Sequence, residues 1–219
     1  MTSGGGCLSL NAVGLFSGGK DSMYSLYLAE KQGIVVDDLI TLFPTLPWPS
    51  PHAANVEALK VLAKSMGKRL AIIDFKKPEA FVEALKNLNV DALVAGDIDS
   101  ETHLGGLKDV CGKAGLELVE PIYGRDPLEL FHEIFDSGFK ALITGVKLDC
   151  MGEEWLGFTI SKENGAEFLS KIGGVDPLGE YGEFHTLVLE CPFYPKSFSV
   201  TSTEKKTAHG LSYLTVSIV

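Results

Sequence analysis

A turn of sequence SGGKDS at residues 17–22 constrains the fold of this chain more than any other stretch. An apolar segment, residues 12–16, precedes it, and residues 22–32 carry apolar side chains three or four positions apart after it. The turn therefore joins a predicted strand to a predicted helix. Glycine lets the backbone approach an anion closely, and the first turn of a helix carries about half a positive charge. Such a junction is typical of a phosphate-binding turn.

The polar residues of the turn suit phosphate chemistry. Ser17 and Ser22 can donate hydroxyl hydrogen bonds. Lys20 can supply a cation, and Asp21 offers a hard oxygen ligand for Mg²⁺. A simple helix cap at a Gly-Gly turn is the alternative interpretation. The spacing of the glycines matches neither the Walker loop nor the dinucleotide fingerprint.

Strands and helices alternate along the chain as far as residue 146. After the first strand, further strands are predicted at residues 38–43, 70–73, 91–95, 116–119 and 141–146. Helices are predicted between them at residues 52–66, 78–88, 103–114 and 127–137. This pattern is typical of a doubly wound α/β fold with a parallel sheet. Ligands of such folds lie at the carboxyl ends of the strands, where we expect SGGKDS and the turn at residues 96–98 to meet.

The pattern changes after residue 146. Strands are predicted at residues 186–189, 198–201 and 212–219 without crossover helices, and a glycine-rich and acidic loop at residues 173–182 precedes them. We expect a smaller α+β lobe at the C-terminus. The predicted domains are an ATP-binding α/β domain over residues 1–124 and a substrate lobe over residues 125–219, with an extension of the α/β pattern to about residue 146 as the alternative.

Composition narrows the class of partner. With 19 basic and 29 acidic side chains, the 219 residues have a formal net charge of −10, which argues against a nucleic-acid partner. Basic residues within 60–69 and 205–206 leave a local exception open. The four cysteines form no Cys-x-x-Cys pair, so we expect buried free thiols. We find no long apolar run and no basic signal region, and the predicted location is the cytoplasm.

Four later stretches carry more polar chemistry than a fold requires. They are GDIDS at residues 96–100, GRD at 124–126, EEWLG at 153–157 and GEYGEFHT at 179–186. Each has a structural alternative: a helix cap at Asp99 or Ser100, an ion pair for Arg125, core packing for Trp155, and a hydrogen-bonded loop for the last stretch.

These motifs together resemble one family. SGGKDS is similar to the pyrophosphate loop of ATP pyrophosphatases, which split ATP into AMP and pyrophosphate. The full series, with His52 in PHAAN, resembles the diphthine-ammonia ligases and their relatives. The resemblance implies a nucleotide domain of the adenine nucleotide alpha hydrolase type (HUP-like) with a small C-terminal lobe. It also implies a ligase that adenylates a substrate carboxylate and transfers ammonia to it.

The residues and the resemblance together predict the site. The predicted ATP-binding residues are Ser17, Gly18, Gly19, Lys20, Asp21, Ser22, Gly96 and Asp97. The predicted substrate-binding residues are His52, Arg125, Trp155 and Gly157. The predicted catalytic residues are Asp21, Glu180, Glu183 and His185, with Asp21 also the ligand of Mg²⁺.

Several alternatives stay open at the level of sequence. In the diphthamide branch of the family that this chain resembles, the last motif has a second acidic residue at the position that His185 occupies here. A histidine at this position is more similar to a branch proposed to act on corrinoid intermediates in cobalamin salvage. A non-catalytic ATP sensor and, less well supported, a tRNA thiolase are further alternatives. The resemblance implies ATP, ammonium and elongation factor two bearing diphthine as partners, and an oligomer is possible. The proline-rich loop at residues 44–51 either covers the nucleotide or is a stiff surface connection.

Overall fold

The computed structural model describes residues 10–43, 50–74, 78–98 and 101–219. These residues form two five-stranded sheets, seven α-helices and one short 3-10 helix at Glu153–Trp155. Most of the predicted proline-rich loop, including Trp48, and the predicted caps Asp99 and Ser100 lie outside the described residues.

The first sheet is parallel throughout and follows the strand order β3-β2-β1-β4-β5. Its strands are β1 (Asn11–Leu15), β2 (Val35–Phe43), β3 (Arg69–Asp74), β4 (Ala92–Val94) and β5 (Glu117–Val119). The chain moves outward from β1 to β3 and then returns to pair β4 with the other edge of β1. This reversal creates a crevice at the carboxyl ends of β1 and β4. The predicted doubly wound α/β fold is confirmed.

Helices connect these strands and cover both faces of the sheet. They are α1 (Lys20–Lys31), α2 (Pro51–Ala54), α3 (Val56–Ser65), α4 (Pro78–Asn87) and α5 (Glu101–Ala114). Gly14 of β1 lets α1 approach closely, because a Cβ atom there would lie 2.3 Å from Cδ2 of Leu26. Among the described residues, we find no helix with the length and apolarity needed to cross a bilayer.

The second sheet is antiparallel and carries the C-terminal lobe. After α6 (Pro127–Asp136), the chain forms β6 (Lys140–Lys147), β7 (Thr159–Ile160), α7 (Gly165–Lys171), β8 (Phe184–Glu190), β9 (Val200–Ala208) and β10 (Leu211–Ile218). Strand β6 pairs with β8 on one side and with β7 and β10 on the other. The predicted smaller α+β lobe is confirmed.

Strand β6 corrects one expectation. Residues 141–146 were predicted to continue the alternating α/β series, but β6 is the central strand of the antiparallel sheet. Its residues 141–146 are buried on both faces, and a strand buried on both faces reads as a continuous apolar run, as a parallel strand does. The domain boundary at residue 124 stays a prediction.

The predicted helix over residues 52–66 is in fact two helices that meet at Asn55. The Asn55 side chain is buried and donates from Nδ2 to the carbonyl oxygens of Pro51 and Leu214, each at 2.8 Å. Its Oδ1 accepts a hydrogen bond from the backbone N–H of Val216 at 2.8 Å. Asn55 therefore interrupts the helix in order to pair with the backbone of β10, and it joins the two lobes.

The two faces of the parallel sheet have different coverings. Phe81 and Leu85 of α4, together with Cys111 of α5, belong to a smaller apolar cluster. A larger cluster includes Met23 of α1 and Leu187 of β8, so it extends into the C-terminal lobe. The segment between β1 and α1 consequently lies where the two lobes meet.

Candidate functional site

A cavity of about 430 Å³ opens at the carboxyl ends of β1, β2 and β4. One wall is the turn between β1 and α1, and the opposite wall comes from the loop before β8 and from β8 itself. Its lining residues include Ser17, Gly19, Lys20, Asp21, Ser22, Thr41, His52, Gly96, Asp97, His103, Glu180, His185 and Thr186. Both lobes therefore contribute to a single candidate site.

The SGGKDS turn is closed by its own hydroxyl groups. The Oγ atoms of Ser17 and Ser22 lie 3.0 Å apart, and Ser17 Oγ accepts a hydrogen bond from the Gly19 N–H at 3.3 Å. Gly18 has a φ of +71°, and a Cβ atom there would lie 2.5 Å from Cδ2 of Leu59. A side chain at this position is therefore excluded both by backbone strain and by space.

The C-terminal lobe holds the turn in place through β8. The buried Thr186 accepts a hydrogen bond at Oγ1 from the Lys20 N–H at 3.1 Å. The Val188 N–H donates to the Gly18 carbonyl oxygen at 2.8 Å. Sequence reasoning named the motif that contains Thr186 but missed this residue, because the contact joins positions 166 residues apart.

Lys20 is buried, with 2% of the residue exposed. Its ammonium pairs with Oδ2 of Asp21 at 2.9 Å, donates to the Leu178 carbonyl oxygen, and lies 5.0 Å from the ring centroid of Phe184. A buried ammonium requires such partners, because an uncompensated charge is costly outside water. Lys20 is thus held between the SGGKDS turn and the second lobe.

Asp21 combines one paired oxygen with one unpaired oxygen. Oδ2 accepts from Lys20, whereas Oδ1 is buried without a hydrogen-bond partner in the part of the chain that the structure describes. Burial raises the pKa of Asp21, and the neighbouring Lys20 ammonium partly opposes that rise. A buried carboxylate oxygen with no donor is a costly arrangement unless a ligand supplies a positive charge.

The chemistry of this donor fits Mg²⁺. In phosphate-transfer sites Mg²⁺ takes one or two carboxylate oxygens and completes its shell with phosphate oxygens and water. The turn offers one such unpartnered oxygen, Oδ1 of Asp21, on a residue that lines the cavity together with Ser17 and Ser22. Within the described ranges, no cluster of three or more His, Cys, Asp or Glu side chains is arranged to hold a metal ion.

The turn after β4 meets the SGGKDS turn, as expected. A Cβ atom on Gly96 would lie 2.9 Å from the Asp21 carbonyl oxygen and 2.9 Å from Cα of Ser22, so only glycine permits this approach. Asp97 lines the cavity, and its Oδ1 lies 3.3 Å from Nδ1 of His103. His103 was not singled out from the sequence, although its place six residues after Asp97 in the first turn of α5 was a usable signal.

Two histidines form a pair in the cavity wall. The rings of His52 and His185 are 5.2 Å apart and nearly perpendicular. Burial lowers the pKa of His52 to about 4 and that of His185 to about 3, with His52 and Lys20 as further causes for His185. Both rings are therefore neutral near pH 7 and can accept hydrogen bonds.

The two predicted carboxylates of the second lobe are placed differently. Glu180 lines the cavity, and its Oε1 accepts a hydrogen bond from the Ile98 N–H at 3.2 Å. Glu183 is 9% exposed and does not line the cavity. Its Oε2 accepts from the Tyr181 N–H at 3.0 Å, so it stabilises the loop that carries Glu180.

Three predicted substrate-binding residues lie outside this cavity. Arg125 pairs with Glu133 and lines a neighbouring cavity of about 380 Å³ that Glu180 also borders. Trp155 packs edge-to-face on Phe168 with ring centroids 5.2 Å apart. Gly157 follows it with a φ of +83°. The structure brings His52 to the cavity but not these three, whose binding role stays a prediction.

Thr41 is a further cavity residue that sequence reasoning missed. Its hydroxyl donates to the Phe16 carbonyl oxygen at 2.5 Å and so ties the end of β2 to the residue that precedes the SGGKDS turn. Its position near the carboxyl end of a parallel strand is the signal that could have identified it.

The chain matches two family models in succession. Residues 10–118 match the diphthamide synthase N-terminal domain, and residues 126–217 match the diphthamide synthase C-terminal domain. The first range contains the SGGKDS turn and nearly all of the parallel sheet, and the second range contains nearly all of the antiparallel sheet.

Curated proteins named diphthine–ammonia ligase are similar along most of the chain. The protein of Danio rerio is 26% identical over 231 residues, covering 89% of this chain and 88% of the relative. The protein of Mus musculus is 26% identical over 227 residues, covering 89% and 84% respectively. For Schizosaccharomyces pombe the identity is 25% over 222 residues, covering 89% of this chain and 37% of the relative.

Proposed function

The chain belongs to the diphthamide synthase family, and from that premise we propose that it is an ATP-dependent diphthine–ammonia ligase. The observation that carries the proposal is the unpartnered Oδ1 of Asp21, which lies in a phosphate-type turn at the switch point of a parallel sheet. The names of the relatives support diphthine as the substrate.

The phosphate turn would bind ATP. Its glycines allow close approach of the phosphates, Ser17 and Ser22 supply hydroxyl groups, and the start of α1 favours negative charge. Asp21 would hold Mg²⁺, which when bound neutralises charge on the phosphates. Gly96 and Asp97 complete this side of the cavity.

The reaction would proceed in two steps. An oxygen of the substrate carboxylate attacks the α-phosphorus of ATP. The bond between the α-phosphorus and the oxygen that bridges it to the β-phosphorus breaks, and pyrophosphate leaves with that oxygen. The nitrogen of ammonia then attacks the acyl carbon of the adenylate, loses a proton, and displaces AMP to form the amide. Preorganised groups that stabilise the charge on the leaving pyrophosphate supply the largest part of such catalysis.

The ammonia side of the site would come from the second lobe. The neutral imidazole of His185 can accept a hydrogen bond from ammonia, but the lowered pKa of about 3 makes it a weak base. Removal of the proton would therefore depend on the carboxylate of Glu180, which lines the same cavity. Glu183 would support that loop from behind through the Tyr181 N–H.

Neither alternative from the sequence is favoured. The relatives reported above are named for diphthine, not for a corrinoid. A non-catalytic sensor would not require a second lobe with a histidine and a carboxylate in the nucleotide cavity. We further propose that the protein is cytoplasmic and that it binds elongation factor two bearing diphthine.

The direct test measures products. Purified protein is incubated with ATP, Mg²⁺ and ammonium, with diphthine-bearing elongation factor in one sample and a corrinoid acid in another. We expect AMP and pyrophosphate only with the elongation factor, together with the mass change of one amide. Turnover with the corrinoid alone would move the chain to that branch, and bound ATP without AMP in either sample would favour the sensor.

A further inference from the structure

Lys20 has two features that separate it from an ordinary phosphate-binding lysine. It is 2% exposed, and two of its three ammonium N–H groups are donated, one to Asp21 and one to the Leu178 carbonyl oxygen. The ring of Phe184 lies 5.0 Å from the ammonium. Its positive charge is therefore compensated by partners inside the protein.

The pairing with Asp21 fixes how that carboxylate is presented. Lys20 engages Oδ2 at 2.9 Å, and Oδ1 is left buried and without a hydrogen-bond partner among the described residues, on a side chain that belongs to the cavity wall. A carboxylate that ligates a metal is itself oriented by hydrogen bonds from a second layer of groups. Lys20 occupies that second layer, and its anchor, the Leu178 carbonyl oxygen, belongs to the C-terminal lobe.

We propose that Lys20 is a positioning residue, which holds Asp21 with Oδ1 directed to a Mg²⁺·ATP complex, and that it is not a phosphate ligand. This inference rests on the proposed function, because it assumes that the cavity binds ATP. It gives the second lobe a direct role in nucleotide binding, since Lys20 joins the Leu178 carbonyl oxygen to Asp21.

The two roles predict different dependence on Mg²⁺. A phosphate ligand contributes to ATP affinity whether or not Mg²⁺ is present. A residue that orients the Mg²⁺ ligand contributes only when the metal is present. The comparison of nucleotide affinity with Mg²⁺ and with EDTA therefore separates them.

The experiment measures binding of α,β-methylene-ATP, which cannot release pyrophosphate, by titration calorimetry in Mg²⁺ and in EDTA. For Lys20→Met we expect unchanged affinity in EDTA and an affinity in Mg²⁺ about 10- to 100-fold below that of the wild type. Mn²⁺ bound in the presence of the nucleotide, measured by paramagnetic resonance, should fall by the same factor. Equal losses in EDTA and in Mg²⁺, or no loss in Mg²⁺, would overturn the proposal.

Lys68→Met is the matched control. Lys68 is also buried, with 8% of its side chain exposed, and it has the same kinds of partner, namely Glu30, the Val36 carbonyl oxygen and the ring of Phe193. It does not line the nucleotide cavity. Its substitution should leave both affinities unchanged, and a Mg²⁺-specific loss in Lys68→Met would overturn the proposal.

A second comparison, between Asp21→Asn and the double variant that also carries Lys20→Met, tests the proposal without relying on the Lys20→Met protein alone. Asp21→Asn should lose the Mg²⁺-dependent gain, and Lys20→Met added to Asp21→Asn should change nothing further in either condition. A further loss in EDTA would identify Lys20 as a phosphate ligand. If the wild-type protein binds no nucleotide, the proposed function falls and this inference with it, which distinguishes that failure from the others.

Discussion

Lys20 and Lys68 are two buried lysines with similar surroundings and different consequences. Each ammonium pairs with a carboxylate, donates to a backbone carbonyl oxygen and lies over an aromatic ring. Lys68 joins Glu30 of α1 to the Val36 carbonyl oxygen of β2, and its ammonium lies 5.4 Å from the ring centroid of Phe193 in the second lobe. Lys20 instead joins Asp21 of the SGGKDS turn to the Leu178 carbonyl oxygen, and all three of these residues line the cavity.

The difference lies in the carboxylates that these lysines hold. The two side chains are similarly exposed, 31% for Glu30 and 26% for Asp21. Asp21 differs because it lines the cavity and keeps one oxygen, Oδ1, buried and without a hydrogen-bond partner among the described residues. Burial of a lysine is therefore no sign of function by itself. The feature that distinguishes a candidate site from a structural ion pair is the buried oxygen without a hydrogen-bond partner on the carboxylate that the lysine holds.

Replacing the two carboxylates should separate them most strongly. Asp21→Asn should lower the rate of AMP and pyrophosphate formation by at least about 10²-fold, because a preorganised contact to the leaving group is lost. Glu30→Gln should stay within about twofold of the wild type, because its partner is remote from the cavity. Steady-state assays on folded variants, checked by circular dichroism, make the comparison. Comparable losses in both variants would show that ion pairing alone matters.

Two glycines near these residues allow a second test. Gly96→Ala places a Cβ atom 2.9 Å from the Asp21 carbonyl oxygen and 2.9 Å from Cα of Ser22, so the turn must move. We expect about a tenfold loss of rate from this misplacement. Gly67→Ala, next to Lys68, meets nothing within 4 Å but must adopt a φ of +70°. It should cost about 1 kcal/mol of stability and leave the rate unchanged. A Gly96→Ala protein with the wild-type rate would contradict the functional importance of this close contact.

Removal of the structural lysine should affect stability alone. Lys68→Met leaves Glu30 without its cation and the Val36 carbonyl oxygen without a donor. The free energy of unfolding should fall by about 2 kcal/mol, since a buried acceptor is left unsatisfied. Urea denaturation measures this loss, and the Michaelis constant for ATP serves as the control. A changed Michaelis constant at wild-type stability would reverse the roles of the two lysines.

Local patterns in the sequence predicted the structural features that depend on hydrophobic periodicity and on turn residues. The alternation of strands and helices predicted the parallel sheet, and SGGKDS predicted the turn that carries Asp21. The reversal of strand order then explains why Gly96 meets that turn, because the carboxyl ends of neighbouring parallel strands lie at one edge.

Contacts distant in the chain could not be predicted in the same way. The bond from Lys20 to the Leu178 carbonyl oxygen spans 158 positions, and that from Asn55 to Leu214 spans 159. Nothing in a local window distinguishes a lysine that will be buried by another lobe from one that faces solvent. Strand β6 was assigned to the first sheet for a similar reason, since burial on both faces does not indicate the partner strands.

The smallest expected effect is in the pH dependence of stability, and it again separates the lysines. Burial holds the pKa of His52 at about 4 and that of His185 at about 3, below the usual value of 6.5. At pH values between the folded pKa of each ring and 6.5, the unfolded chain therefore binds more protons than the folded chain. The free energy of unfolding is thus highest above pH 6.5 and decreases as the pH falls. Between pH 7 and 5.5 the loss should be about 1 kcal/mol for each ring.

The Lys20 charge is one of the causes that lower both pKa values, although burial is the larger one. Lys20→Met should therefore raise the pKa of both imidazoles slightly, whereas Lys68→Met should leave both values unchanged. Proton NMR titration of the ring resonances in the two variants measures the difference, and denaturant curves at pH 7 and 5.5 measure the loss of stability in the wild type. A histidine pKa near 6.5 in the wild type, or an equal change in both variants, would mean that the lysine charge is not felt across the cavity.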